Sequence, residues 1–364
     1  MIAYALVAAA VLSFVLCALA TPLSRVVAVR LGYVDVPGRH KAHAQPVPLL
    51  GGSAILAAIL APALLAMALV RYWAATGVPE WLAKYPLAEH LSGAAERVPM
   101  ALGILLGAVA LHVVGLIDDR RPLGPWTKLV AQLAVALPVV LLVDLRVLTF
   151  VGEPLSSIAS VLWLLAIINA FNFLDNMDGL CAGVAAICCA TLLGASSGIG
   201  QVFVPTLLAL MLGAFCGYLV FNFCPATTFM GDAGSMVVGY LMGVVTMLTT
   251  YDSQEHPYSH YALLAPLVLM AVPLYDTVSV MVLRIRERVN PMVGDRRHFS
   301  HRLVRRGMSQ RRAVLTIYLC TLATSAGALL LTRVDVLGAV LVAAQTAAVL
   351  LIVALLETGE KRVP

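Results

Sequence analysis

The sequence predicts an all-α, polytopic integral membrane protein of about eleven transmembrane helices (10–11), with an external N-terminus, and three observations carry that prediction. Hydrophobic residues make up 61% of the 364 and charged residues only 12%, roughly half the charged share of a soluble chain. Eleven apolar runs reach the roughly 17–25 residues that a helix needs to cross a bilayer. Numbering the connections alternately divides the 24 lysines and arginines nineteen to five, and the positive-inside rule assigns the nineteen to the cytoplasm. A span count wrong by an odd number would scramble that split. The net charge of +5 is therefore a topology signal, and it lends nucleic-acid binding no support.

The runs lie near 2–21, 49–70, 99–117, 127–145, 155–171, 178–198, 202–221, 234–250, 261–283, 312–331 and 335–356. The first ends in Ala18-Leu19-Ala20, a sequence that resembles a signal-peptidase site. It lacks a basic leader and is long enough to span, so a retained helix is expected. Only a few polar residues separate the fifth run from the sixth. No internal repeat or large polar segment divides the chain, which reads as one membrane domain over 1–364. The seven cysteines show no CxxC or Cys/His ligand spacing, and six fall in or beside apolar runs, where cysteine acts as a small buried hydrophobe.

Polar residues that a bilayer should exclude gather at the cytoplasmic ends. The third run closes on Asp118-Asp119-Arg120-Arg121. Adjacent carboxylates at a helix C-terminus repel each other and gain nothing from its dipole. A solvated loop start balanced by two arginines fits, and so does an acid pair awaiting a divalent cation or a proton. The stretch from Asn169 to Gly179 carries Asn172, Asp175, Asn176 and Asp178. Continued as helix, that spacing lines one face with amides and carboxylates. Carboxylates at the membrane edge cost roughly 2.5–3.5 kcal/mol even on the lenient insertion scale, which makes this cluster the strongest functional signal. A third block, Phe221-Asn222-Phe223 followed by Phe229-Met230-Gly231-Asp232-Ala233-Gly234-Ser235, sets Asp232 at the start of a helix expected near 234. There it reads as an N-cap or as a ligand of Mg²⁺, a hard cation that prefers oxygen donors.

Two basic loops complete the pattern. One holds Arg39, His40, Lys41 and His43 before Pro46-Val47-Pro48 and Gly51-Gly52; the other runs from Arg296 through His298, Ser300, His301 and Arg302 to Gly307. His298 and His301, three apart, suit one helix face that donates to phosphate oxygens beside guanidinium groups. Asp276, deep in the ninth run, fits a helix–helix hydrogen bond and a site role equally well. His112 reads as a packed core histidine.

In order along the chain, Pro46-Val-Pro-x-x-Gly-Gly, the Asp118-Asp119 pair, Asn172-x-x-Asp175-x-x-Asp178-Gly179, Phe229-Met-Gly-Asp232-x-Gly-Ser235 and His298-x-x-His301-Arg302 resemble the polyprenyl-phosphate N-acetylhexosamine-1-phosphate transferases. The resemblance covers about 22–312. It implies that undecaprenyl phosphate attacks the sugar-bound phosphorus of a UDP-sugar at the cytoplasmic leaflet. The products would be undecaprenyl-diphosphate-sugar and UMP, with Mg²⁺ or Mn²⁺ required, in a bacterial inner membrane. Carried over by residue, Asp118 and Asp119 orient or deprotonate the lipid phosphate, and Asp175, Asp178 and His301 join them in catalysis. Asp232, with Asp178 and Asp118, holds the metal. Lys41, His43, Asn172, Asn222, His298 and Arg302 bind the nucleotide, diphosphate or sugar. The His-Phe-Ser-His-Arg loop resembles the branch using UDP-N-acetylglucosamine (UDP-GlcNAc), against UDP-MurNAc-pentapeptide or UDP-GalNAc as alternatives. Asn176 departs from the family's usual glycine. The sequence leaves the oligomeric state open, a homodimer included. An ion-coupled transporter is the rival class, but its acids belong near the midplane, commonly in repeated halves.

Overall fold

The computed structural model describes residues 2–36, 46–196, 202–249, 259–289 and 297–358. Lys41 and His43 lie outside the described residues. Helix α1 (Ile2–Leu31) leads into a two-residue antiparallel strand pair, β1 (Val34–Asp35) with β2 (Val47–Pro48). Next come α2 (Gly51–Thr76), the short α3 (Glu80–Ala83), α4 (Leu91–Arg120), α5 (Pro125–Leu141), α6 (Leu155–Leu174), α7 (Leu180–Ser196) and α8 (Phe203–Asn222). The chain continues with α9 (Asp232–Leu248), α10 (Ala265–Leu269), α11 (Ala271–Arg286), α12 (Phe299–Arg305), α13 (Gln310–Leu330) and α14 (Val336–Thr358).

All eleven apolar runs fall on these helices. Among the described residues, seven helices are long and apolar enough to cross a membrane, or up to eight if the bent pair α10–α11 is one span. The apolar helices α5, α7 and α9 have 17 residues each, about 25 Å of helix. The ninth run, expected as one helix, bends by 63° between α10 and α11. Pro273 has no N–H to give the carbonyl of Leu269, so the ladder opens there. The thiol of Cys188 faces the freed oxygen at 3.8 Å. A second difference concerns the polar stretch after Asn172. The helix stops at Leu174, and residues 175–179 form a turn closed by Gly179 at φ +77°, a conformation open to glycine at little cost.

Helix α9 is the axis of the bundle, with every residue from Ala233 to Met247 buried. Small residues allow that enclosure. A side chain at Gly239 would meet the Cα of Ile168 at 2.7 Å, and one at Gly213 would meet the carbonyl oxygen of Ala10 at 2.0 Å. Gly239 with Gly243, and Gly213 with Gly217, are spaced four apart, the pattern by which membrane helices pack backbone to backbone. Buried Ser13 donates to the carbonyls of Ala58 (3.0 Å) and Leu210 (2.7 Å), bonding α1 to both α2 and α8. Helices α1 and α14 lie at the periphery and expose leucine and valine side chains outward.

The contacts bring the starts of α2, α5, α7 and α9 and the ends of α4, α6 and α8 to one end of the bundle. The acidic clusters lie at that end, and not at mid-height as a transporter site requires.

Candidate active site

The first residues of α9 organise the site. Pro48 accepts from the amide of Phe229 at 2.8 Å, and the amides of Gly51 and Gly52 reach the carbonyls of Phe229 (3.0 Å) and Met230 (3.1 Å). The Pro-x-Pro and Gly-Gly stretch of the first loop thus bonds to the irregular segment that delivers Asp232. Gly231 turns that segment into the helix at φ +69°. On the other side, Asp119 accepts from the amides of Asp232 (2.8 Å) and Ala233 (3.1 Å). It acts as a carboxylate cap supplied by another helix, which the N-terminal end of the α9 dipole favours.

Asp118 and Asp232 face a shared cation. The ammonium of Lys128, in the first turn of α5, lies 2.6 Å from Asp118 and also bonds Asp232. The amide of Leu123 donates to the remaining oxygen of Asp118 at 2.6 Å. Asn172 donates to Asp232 and to Ser235, each at 2.9 Å. Asp178 accepts from the amide of Ala226 at 3.0 Å. Asn222, almost fully buried, accepts from Gly179 (3.0 Å) and donates to the carbonyl of Thr228 (2.9 Å), bonding the 175–179 turn to the approach to α9.

Asp175 differs from the other carboxylates. Among the described residues no donor meets its side chain, and burial pushes its pKa up to about 8, helped by the negative charges of Asp232, Asp119 and Asp178. A buried carboxylate without a donor, facing three others, suits a divalent cation.

Asp118, Asp119, Asp175, Asp178, Asp232 and His301 all line one cavity of about 540 Å³. The structure therefore brings together five predicted carboxylates and one predicted histidine. It does not preassemble three His, Cys, Asp or Glu side chains at metal-ligand spacing among the described residues. The hydrogen bonds explain why: Asp119 is engaged by the α9 amides, and Asp118 and Asp232 by Lys128. The donor chemistry still fits Mg²⁺, which commonly takes one or two carboxylates and completes its shell with phosphate oxygens and water.

His298 and Arg302 lie apart from the cavity wall. His298 is the residue before α12, and its Nδ1 lies 2.8 Å from Asp276, which also accepts from the amide of Phe299 at 2.9 Å. Asp276 is fully buried, so its role is to hold the start of α12. The two histidines do not share a face: His298 turns to Asp276 and His301 to the cavity. Arg302 contacts Ser279 (2.6 Å) and Glu357 (3.0 Å) on α11 and α14. His112 packs as expected, with Ser53 at 3.1 Å and the carbonyl of Ala233 at 2.9 Å. Two charged residues that line or bridge the site were not singled out from sequence. Lys128 sits at the edge of an apolar run like any boundary cation, and Asp35 lies on β1 beside the first basic loop.

A model of glycosyl transferase family 4 matches residues 101–250, from α4 through α9. Decaprenyl-phosphate N-acetylglucosaminephosphotransferase of Mycolicibacterium smegmatis is 35% identical over 329 residues, covering 82% of this chain and 75% of its own. A probable undecaprenyl-phosphate N-acetylglucosaminyl 1-phosphate transferase of Bacillus subtilis is 29% identical, with 90% and 85% covered. The undecaprenyl-phosphate α-N-acetylglucosaminyl 1-phosphate transferase of Escherichia coli is 27% identical over 81% of this chain and 76% of its own.

Proposed function

The chain belongs to the glycosyl transferase family 4 of polyprenyl-phosphate sugar-1-phosphate transferases, and from that premise we propose that its acidic cavity transfers N-acetylglucosamine 1-phosphate. The donor is UDP-GlcNAc and the acceptor a polyprenyl phosphate; the relatives named above act on undecaprenyl or decaprenyl phosphate. An oxygen of the lipid phosphate attacks the phosphorus that carries the sugar. The bond from that phosphorus to the bridging oxygen breaks, and UMP leaves. One phosphoanhydride replaces another, so positioning and charge neutralisation supply most of the catalysis.

The observation that carries this reading is the convergence of five carboxylates and His301 on one cavity at one end of an apolar bundle. Such a carboxylate set cannot receive a diphosphate without a compensating cation. Mg²⁺, or Mn²⁺ in its stead, would supply that charge when bound, held by Asp232 with Asp178 and Asp175 and by Asp118 as it parts from Lys128. Lys128 is also near enough to Asp118 and Asp232 to meet an incoming phosphate oxygen. His301 lines the same wall and suits the diphosphate or the sugar. In this reading the basic loops face the cytoplasm, where nucleotide sugars are found, and the product begins an envelope glycan.

The test is direct. Purified protein in vesicles containing undecaprenyl phosphate is offered UDP-GlcNAc, UDP-GalNAc or UDP-MurNAc-pentapeptide, with and without Mg²⁺. UMP release is expected from UDP-GlcNAc alone and only with the metal, and Asp232→Asn is expected to abolish it. Near-normal turnover by Asp232→Asn would remove the metal assignment.

A further inference from the structure

Helix α12 brings His301 to the cavity, and polar attachments to three parts of the structure help to fix where it sits. Asp276 holds its N-terminus from α11 through His298 and the amide of Phe299. Arg302 ties its outer side to Ser279 and Glu357. The third attachment leads into the site itself. The hydroxyl of Ser300 donates to Oδ1 of Asn176 at 2.5 Å, and Asn176 lies in the turn between Asp175 and Asp178, on the cavity wall.

The geometry leaves this bond little freedom. Asn176 gives its Nδ2 to the carbonyl of Phe173 at 2.6 Å, an acceptor in the last turn of α6 that lacks a helical partner. The amide is thereby oriented with its oxygen toward Ser300, whose hydroxyl donates to it. Ser300 is fully buried, so a hydroxyl that loses this acceptor has no water to replace it. One bond therefore joins the turn that carries two site carboxylates to the helix that carries the site histidine.

We infer that Asn176 and Ser300 form a positioning pair that holds His301 in register with Asp175 and Asp178. This inference rests on the reading of the cavity as the transfer site. The pair touches no reacting atom; it acts through His301, the neighbour of Ser300 in sequence. Loss of the bond lets α12 shift against the 175–179 turn while Asp276 and Glu357 still hold its flanks. A misplacement on the order of 1 Å is enough to cost up to about a hundredfold in rate.

The experiment combines kinetics with a chemical probe of His301. Asn176→Ala, Ser300→Ala and the double variant are compared for UMP release, and each is repeated in a His301→Ala background. Each single substitution is expected to lower kcat about tenfold, with KM for UDP-GlcNAc changed less than about twofold. The double variant should fall no lower than the weaker single one, and in the His301→Ala background neither substitution should lower the rate further. In parallel, Ser300→Ala should change the rate at which diethyl pyrocarbonate modifies His301, read by mass spectrometry without substrate. Additive losses, equal losses in the His301→Ala background, or an unchanged modification rate would overturn the inference. If the unaltered protein releases no UMP, the transferase reading fails, while the modification rate still decides the pair.

Discussion

Asp119 and Asp175 are both site carboxylates, yet their surroundings give them opposite roles. Asp119 satisfies two amides at the start of α9, so Asp119→Ala leaves two helix donors open and should cost about 0.5–2 kcal/mol, as cap removal does. Thermal unfolding should show the loss together with lost UMP release. Asp175 meets no donor among the described residues and faces three other carboxylates. Asp175→Asn should abolish turnover while leaving the metal-free melting temperature equal or higher; a clear drop would contradict its proposed role. The same surroundings set a pH dependence. The folded pKa of about 8 lies above the unfolded value of roughly 3.9. The folded metal-free chain therefore holds a proton that the unfolded chain loses, and its stability falls as pH rises between those values. A metal must displace that proton, so the thermal shift caused by Mg²⁺ should be larger at pH 8.5 than at pH 6. An equal shift at both would show that Asp175 is not among the ligands. These carboxylates were legible in sequence because charges at the end of an apolar run have few structural excuses. The pairing of Arg302 was not, because its partner Glu357 arrives two helices later and nothing local announces it.

At the scale of elements, the site depends on how closely α2, α4 and α9 approach. A methyl group at Gly52 would lie 2.3 Å from the Cα of Gly234, and one at Gly115 would lie 2.3 Å from the Cα of Ala233. Backbone cannot yield as a flexible side chain does, so α9 must move. Gly52→Ala should cost about 1–3 kcal/mol, the usual range for overpacking, and should lower kcat by displacing Asp232 from Lys128 and Asn172. Gly93→Ala is the control, since nothing lies within 4 Å of the added carbon; its melting temperature should equal or exceed that of the unaltered protein. Equal behaviour of the two variants would mean that the tight contact does not set the position of α9. Apolar run length was enough to place helix on each of the eleven runs, though only seven or eight of the described helices are long and apolar enough to cross a membrane. The 63° bend at Met270 was not legible, because proline is tolerated in many membrane helices and the neighbour facing the freed carbonyl, Cys188, comes from a distant helix. The Gly-Gly pair was legible as a motif, while its partner, the backbone before Asp232, became visible only in the fold.

For the whole molecule, the decisive property is that alternation of the chain collects the carboxylates of the candidate site at one end. The strands, the start of α2 and the end of α4 meet there, and the described basic residues Arg120, Arg121 and Lys128, between the end of α4 and the first turn of α5, lie at the same end. Positive-inside bias sorts short loops by lysine and arginine, and the nucleotide sugar proposed as donor is a cytoplasmic solute, so charge and chemistry require the same orientation. Exposed positions on the two ends make this testable. Pro122 follows Asp119 and Ser92 opens α4 at the opposite end; both are exposed. In inside-out vesicles, where the cytoplasmic face is outermost, Pro122→Cys should react with a membrane-impermeant maleimide and Ser92→Cys should not, after subtraction of the signal from native cysteines such as Cys224. In right-side-out vesicles the order should reverse. A cavity facing outward would give the opposite result in both preparations. It would then have no access to UDP-GlcNAc from the cytoplasm, however well its carboxylates were arranged, and the proposed reaction would fail at the level of topology before any residue was tested.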